Sequence, residues 1–86
     1  MSETLLEFPC DFPLKVMGRK EPGFRELVVA MVEAHAGSVP ENHVGLRDSR
    51  DGNFVALTVI VHARTQAQLD AIYTDLSAHD RVLMVL

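Results

Sequence analysis

Residues 51–63 read Asp-Gly-Asn-Phe-Val-Ala-Leu-Thr-Val-Ile-Val-His-Ala, a turn signal followed by the longest β-branched run in the chain. An Asp-Gly pair between alternating segments is a strong hairpin signal. The run after it is apolar at most positions, which is typical of a strand that is covered on one face and partly covered on the other. The stretch therefore predicts a β-hairpin whose second strand is central in its sheet.

The segments around this hairpin alternate between strand and helix periodicity. Those with a strand period are 12–18, 43–49 and 82–86, and those with a helical period are 23–36 and 66–78. The order strand, helix, strand, strand, helix, strand predicts an α+β, ferredoxin-like βαββαβ sandwich. Right-handed crossovers would place both helices on one face of a four-stranded antiparallel sheet of order 4-1-3-2.

Signals at the ends of the segments agree with this order. Gly37 is the expected C-cap of the first helix, and Thr65 with Gln68 has the spacing of a capping box before the second. Residues 1–11 have few apolar anchors and are expected to form an N-terminal arm. Residues 12–86 then make up a single ferredoxin-like domain.

One face of the predicted sheet carries no helix, and we call it the open face. Alternation places Leu57, Val59 and Val61 toward the helices. The residues expected on the open face are Lys15, Met17, Phe54, Ala56, Thr58, Ile60 and His62. Monomers seldom expose a large apolar patch, so this face is a candidate interface. Two interpretations compete. In the first, another copy of the chain or the N-terminal arm covers the open face, and we expect a homo-oligomer, with a dimer favoured. In the second, the open face receives a protein partner or an apolar ligand.

The turn after the first strand is the second candidate site. Arg19, Lys20 and Arg25 gather near the start of a predicted helix, where unpaired amides and the helix dipole favour an anion. Glu21 partly cancels this charge, and the spacing is not that of a phosphate-binding loop. Two interpretations stay open, a solvated turn and a turn that binds an anionic ligand or a regulator.

Composition limits the classes of function. The chain has 86 residues, eight basic against twelve acidic ones and a net charge of −4, which argues against nucleic acid as a partner. The single cysteine cannot form an intramolecular disulfide, and no run approaches the length of a membrane span. The acidic N-terminus does not resemble a signal peptide, so a cytoplasmic protein is expected.

Catalytic constellations are not indicated. The four histidines, at positions 35, 43, 62 and 79, are far apart in sequence, so we expect no metal, no cofactor and no catalytic residues. A less favoured alternative is an acylphosphatase-like hydrolase, because Arg25 and the approach to Asp51-Gly52 superficially resemble those enzymes. Asp48, however, places a carboxylate where such enzymes carry an asparagine.

Several short motifs resemble the YbeD-like family of small uncharacterised bacterial proteins. They are 5–9 (Leu-Leu-Glu-Phe-Pro), 15–18 (Lys-Val-Met-Gly), Gly52-Asn53 and the ending 82–86 (Val-Leu-Met-Val-Leu). The resemblance implies an α/β sandwich similar to ACT-type regulatory domains, with no assigned enzymatic activity. Members often occur beside lipoate-synthesis genes. The resemblance therefore implies a non-enzymatic regulatory or interaction domain, with a protein adaptor that uses the open face as the alternative. ACT-type domains commonly bind small effectors near the turn after the first strand, so the resemblance also implies an effector site at Gly18, Arg19, Lys20 and Arg25.

Overall fold

Four strands and two helices follow one another in the order that the periodicity predicts. The computed structural model of the chain describes residues 7–86. The elements are β1 (Cys10–Arg19), α1 (Phe24–Ala36), β2 (Val44–Asp48), β3 (Phe54–Ala63), α2 (Gln66–Ser77) and β4 (Val82–Val85), with one turn of 3₁₀ helix at Glu41–His43. The sheet order is β2-β3-β1-β4 and every pairing is antiparallel, so the predicted ferredoxin-like topology is confirmed.

The core lies between the helices and one face of the sheet. Leu57, Val59 and Val61 of β3 have no exposed surface, as their alternation predicts. The apolar side chains that close the core from the helices are Phe24, Val28 and Val32 of α1 and Leu69, Ile72 and Leu76 of α2. Because one face of each strand supplies this core, the alternate residues are left on the open face.

The hairpin between β2 and β3 is closed by a compact loop. The Gly52 amide donates to the Ser49 carbonyl at 3.0 Å, and Gly52 has φ 78°, a value that glycine adopts without steric cost. The Asp51 carboxylate accepts from the Ser49 hydroxyl at 2.7 Å and from the Asn53 amide at 3.1 Å. These bonds, the Ser49 one first, lower the pKa of Asp51 below its ordinary value of 3.8.

The first strand begins earlier than the sequence predicts. Cys10 and Asp11 pair with the end of β3, so the predicted arm of residues 1–11 contributes its last two residues to the sheet. Phe8 is half-buried and packs against the core. Residues 1–6 lie outside the described residues, with the predicted anchors Leu5 and Leu6 among them.

The fourth strand covers only part of β1. Lys15 and Leu86 exchange two backbone hydrogen bonds, of 3.2 and 2.8 Å, so the backbone groups of Lys15 are directed at β4. Pro13, two residues earlier, has the same orientation and lies beyond the end of β4. The missing amide hydrogen of Pro13 therefore costs no ladder bond, although the residue is four positions into the strand.

The cap of α2 follows the prediction in one half and departs from it in the other. The Thr65 hydroxyl accepts from the Gln68 amide at 3.1 Å, as expected. The Gln68 side-chain oxygen accepts a hydrogen bond from the Arg64 amide at 2.6 Å, where a capping box would use the Thr65 amide. The Gln68 side-chain nitrogen donates to the His35 carbonyl at 2.9 Å. Gln68 thereby joins the start of α2 to the end of α1.

Candidate functional site

The residues predicted for the open face lie together on the side of the sheet opposite the helices. Lys15 faces Thr58 and Met17 faces Ala56 across the β1–β3 pairing. Phe54 at one end of β3 and His62 at the other are exposed, and the residues between them on this face are half-buried by their neighbours. The sheet thus presents one continuous surface that runs the length of its central strand.

Strand pairing adds residues to the open face that the sequence reasoning did not single out. Gly45 and Arg47 of β2 pair with Thr58 and Ala56. From the other side, Met84 pairs with Met17, and Arg19 pairs with Phe54. The alternation of residues 43–49 separates Gly45 and Arg47 from Val44 and Leu46. Combined with the hairpin register, that signal would have placed Arg47 beside Ala56.

A cationic groove crosses this face. It has a volume of about 380 Å³ and is lined by Lys15, Gly45, Leu46, Arg47, Ala56 and Thr58. Lys15 and Arg47 come from the two strands that flank β3, while the floor between them is made of small side chains. Gly45 contributes to the opening because an added Cβ there would meet no atom within 4 Å. Two cations consequently border a depression that small side chains leave open.

An apolar hollow adjoins the cationic groove. It has a volume of about 190 Å³, shares Ala56 and Arg47 with the groove, and is bounded on its apolar side by Met17 and Phe54. Asp48 reaches its rim but is held by Lys20, whose Nζ lies 3.0 Å from Oδ2 of Asp48. The two depressions together suit a ligand that has an anionic and an apolar part.

The charges on the open face differ in sign from the charge of the whole chain. Lys15, Arg19 and Arg47 are its three cations, and Asp11 is the one carboxylate that the strand register places on it among residues 7–86. The Asp11 carboxylate lies 3.0 Å from Nδ1 of His62, at the far end of the face. A chain of net charge −4 therefore presents a locally positive surface.

Gly18, the first residue of the predicted basic turn, has a close packing contact. A Cβ at this position would lie 2.5 Å from the ring of Phe24 and 2.7 Å from the carbonyl oxygen of Arg81. The Phe24 ring is 2% exposed and belongs to the core. Glycine at this position therefore allows the end of β1 to pass directly over the start of α1.

The basic side chains of the turn have different surroundings. Arg19 lies on the open face, whereas Lys20 pairs with Asp48 at 3.0 Å. Nη2 of Arg25 lies 3.9 Å from a carboxylate oxygen of Glu41, in an exposed and loose pair. The structure thus directs Arg19 to the sheet surface and gives each of the other two cations a carboxylate neighbour. An exposed pair of this kind contributes at most about 1 kcal/mol, so an anion could still compete for either cation.

Arg81 adds a further contact at this turn that sequence reasoning missed. Its Nε donates to Glu21 at 3.0 Å and its Nη2 donates to the Pro22 carbonyl at 2.9 Å. The two bonds fix the turn to the segment before β4. Sixty residues separate the partners in sequence, so no local signal could have shown the contact.

Other titratable groups contact each other at structural positions. His35 of α1 and Asp75 of α2 share a short hydrogen bond between the two helices. Burial raises the pKa of Tyr73 above its ordinary value.

Across residues 7–86, no three His, Cys, Asp or Glu side chains are grouped so that they could hold a metal ion. In the same residues, no helix combines the length and apolar character that a membrane crossing requires.

Comparison with solved structures identifies the fold. The ACT domain from GTP pyrophosphokinase of Chlorobium tepidum superposes with a TM-score of 0.67 at 14% identity, covering 90% of this chain and 97% of that one. The C-terminal domain of the MgtC protein from Mycobacterium tuberculosis gives 0.59 at 19% identity, covering 95% and 89%. At these identities the likeness shows that the fold is shared.

Comparison of sequences identifies the family. Residues 3–86 match the family model described as "Protein of unknown function (DUF493)". A UPF0250 protein of Paraburkholderia phytofirmans is 44% identical over 86 residues, covering 100% of this chain and 97% of its own. Another, from Ralstonia nicotianae, is 46% identical over 87 residues and covers 98% and 87%. The chain therefore belongs to the DUF493 family, whose relatives here are UPF0250 proteins, and it has an ACT-like, ferredoxin-like fold.

Proposed function

We propose that the chain is a non-enzymatic regulatory or interaction domain of the cytoplasm that acts by binding a partner on its open face. The observation that carries this proposal is the composition of that face, where exposed apolar side chains stand beside three cations in an acidic protein. Phe54 is 37% exposed and Met84 is 51% exposed. Large apolar side chains that are collected on one surface and bordered by charge are typical of a binding site.

The ACT-like fold supports the regulatory part of the proposal. One solved relative in fold is the ACT domain of a GTP pyrophosphokinase, where it forms part of a larger enzyme. We extend to this chain the idea that the fold serves binding and control. A link to lipoate metabolism, which the family resemblance implies, remains part of this proposal, as does the assembly of the chain into a homo-oligomer through its sheet edges.

A matched pair of variants tests the proposed surface. Ile60→Asp places a charge in the middle of the open face, and Arg25→Ala changes the start of α1 on the other side of the sheet. The wild-type protein is cross-linked in its native extract, the partner is identified by mass spectrometry, and the complex is rebuilt from purified components. Each variant is first shown to keep the wild-type thermal midpoint, with Met84→Glu as the replacement if Ile60→Asp does not.

The proposal requires that the rebuilt complex is lost with Ile60→Asp and kept with Arg25→Ala. Retention of binding by both variants would place the interaction elsewhere. Loss with Arg25→Ala alone would instead identify the basic turn as the binding site.

Binding of a small anionic effector at Gly18, Arg19, Lys20 and Arg25 is the second candidate. It is favoured by the position of the turn before a helix whose N-cap, Gly23, has no side-chain cap. A thermal-shift screen of amino acids, lipoate, octanoate and nucleotides tests it. A ligand at 100 times its dissociation constant adds about 2.7 kcal/mol of stability, and no shift at millimolar concentration would count against this candidate.

A further inference from the structure

We propose that the cationic groove between Lys15 and Arg47 makes the open face selective for acidic partners, and that its occupant is an amphipathic helix with acidic flanks from another protein. This inference rests on the proposed function, since it names the class of partner for the same face. Its basis is the geometry of two cations that stand on either side of a small-residue floor and next to an apolar hollow.

The positions of the two cations create the selectivity. Lys15 of β1 and Arg47 of β2 lie on opposite sides of β3, separated by Ala56 and Thr58. Neither cation has a carboxylate partner within 4 Å among residues 7–86. A carboxylate that enters the groove therefore gains two cations without breaking an existing ion pair, and a cation that enters it meets repulsion from both sides.

Charge also argues against a second copy as the occupant. A symmetric face-to-face dimer presents the same patch from both copies. Each copy would bring three cations, Lys15, Arg19 and Arg47, to the interface, and the other copy would offer only Asp11 as a carboxylate. Two cations of each copy would therefore have no carboxylate opposite them. Asp11 is moreover already beside His62. Like charges across an interface oppose association, so an acidic partner fits this surface better than the chain itself does.

The dimensions of the face favour a helix. β3 has ten residues, which corresponds to roughly 33 Å of strand, or about six helical turns. The two depressions lie side by side along this length because they share Ala56 and Arg47. A helix lying over them would place an apolar stripe on Phe54 and Met17 and acidic side chains beside Lys15 and Arg47. The opposite face of the same sheet already packs two helices.

An unbiased selection tests the inference with defined probes. A displayed library of 18-residue helical peptides carries a fixed apolar stripe, while its flanking positions vary among Glu, Gln and Lys. We expect selection on the full chain to enrich Glu over Gln and Gln over Lys. A selected Glu-rich peptide should bind at least tenfold more tightly than its Lys-for-Glu counterpart, and it should shift the amide resonances of the open face.

A double charge reversal and its matched control locate the effect. Lys15→Glu with Arg47→Glu should abolish the enrichment of Glu. Arg50→Glu with Arg64→Glu changes the net charge by the same amount at two exposed residues outside the strands and should preserve the enrichment. Enrichment of Glu that persists in the first variant would overturn the inference, as would its loss in both variants.

The remaining outcomes separate this inference from the proposed function. If the enriched peptides carry Gln or Lys flanks and shift only open-face resonances, the proposed binding face is supported and the preference for acidic partners is refuted. Peptides that bind only the helical side would count against both. No enriched peptide at all would refute the helical partner, while the proposed binding face would still be decided by the cross-linking experiment. Light scattering that shows an oligomer in the wild type but a monomer in Ile60→Asp would identify a second copy as the occupant and overturn the inference. Displacement of the selected peptide by micromolar decanoate would identify a small amphiphile instead, with the same consequence.

Discussion

Substitution of Gly18 by alanine is expected to destabilise the protein because two groups already occupy the space of the new methyl. A Cβ at this position lies 2.5 Å from the Phe24 ring and 2.7 Å from the Arg81 carbonyl oxygen. Ordinary contacts begin at 3.4 Å, so the ring would have to retreat by about 0.9 Å (3.4 minus 2.5), while the carbonyl is part of the backbone. Overpacking of this kind costs about 1–3 kcal/mol.

Urea unfolding followed by circular dichroism measures this cost. The slope of the unfolding free energy against urea concentration should be the same in the variant and the wild type, which shows that the same transition is being compared. In a domain of this size each 1 kcal/mol lowers the thermal midpoint by about 4–8 °C. Gly45→Ala is the matched control, because an added Cβ there has nothing within 4 Å and its effect should stay within about 0.5 kcal/mol.

A second substitution identifies the ring as the cause. Phe24→Leu is expected to destabilise the wild-type protein by opening the core, but it should cost less when Gly18→Ala is already present. The coupling in that double-mutant cycle should exceed about 0.5 kcal/mol. If Gly18→Ala and Gly45→Ala have equal stability, or if the cycle shows no coupling, the packing explanation for Gly18 is wrong.

Three further predictions concern the caps and the hairpin. Thr65→Ala should lower the free energy of unfolding by about 1 kcal/mol because the α2 cap is lost, whereas Thr65→Ser should retain most of the wild-type stability. Equal losses of stability for the two variants in urea unfolding would contradict this. Gly52→Ala should cost about 1 kcal/mol because its φ is 78°, and Gly52→Asn should cost less, as the same assay would show. Asp51 stabilises the fold above its ordinary pKa of 3.8, since its pKa in the folded state is lower, and this contribution is lost as the pH falls through the folded value. The difference in stability between the wild type and Asp51→Asn should therefore shrink on acidification, and a constant difference from neutral pH to pH 2 would refute the assignment.

Local patterns were sufficient to predict most of the fold. The alternation of β3 identified its inward and outward residues, and the spacing of Thr65 and Gln68 located the start of α2. These features depend on neighbours within four residues, so the sequence displays them directly. The bond from Gln68 to the Arg64 amide departs from the expected capping box because the same side chain also reaches the His35 carbonyl, which lies 33 positions away.

The candidate sites were harder to predict because their character depends on distant partners. The basic turn drew attention as a cluster of cations, but Lys20 meets Asp48 across 28 residues and Arg81 reaches Glu21 across 60. Such ion pairs depend on sheet register and on the path of the chain before β4. Arg47 illustrates the opposite case. Alternation alone puts it on the outward side of its strand, but it gains significance only because pairing places it across β3 from Lys15.

The position of Pro13 has a consequence for aggregation. Among residues 7–86, no strand pairs with the margin of β1 beyond the end of β4, so that margin could accept a strand from another molecule. Pro13 removes a hydrogen-bond donor from that margin, so an incoming strand would find an incomplete ladder there. We therefore expect Pro13 to weaken the addition of a foreign strand on this side of the sheet. A chain that presents an open sheet face can in this way keep the adjacent backbone edge from pairing with a strand of another molecule.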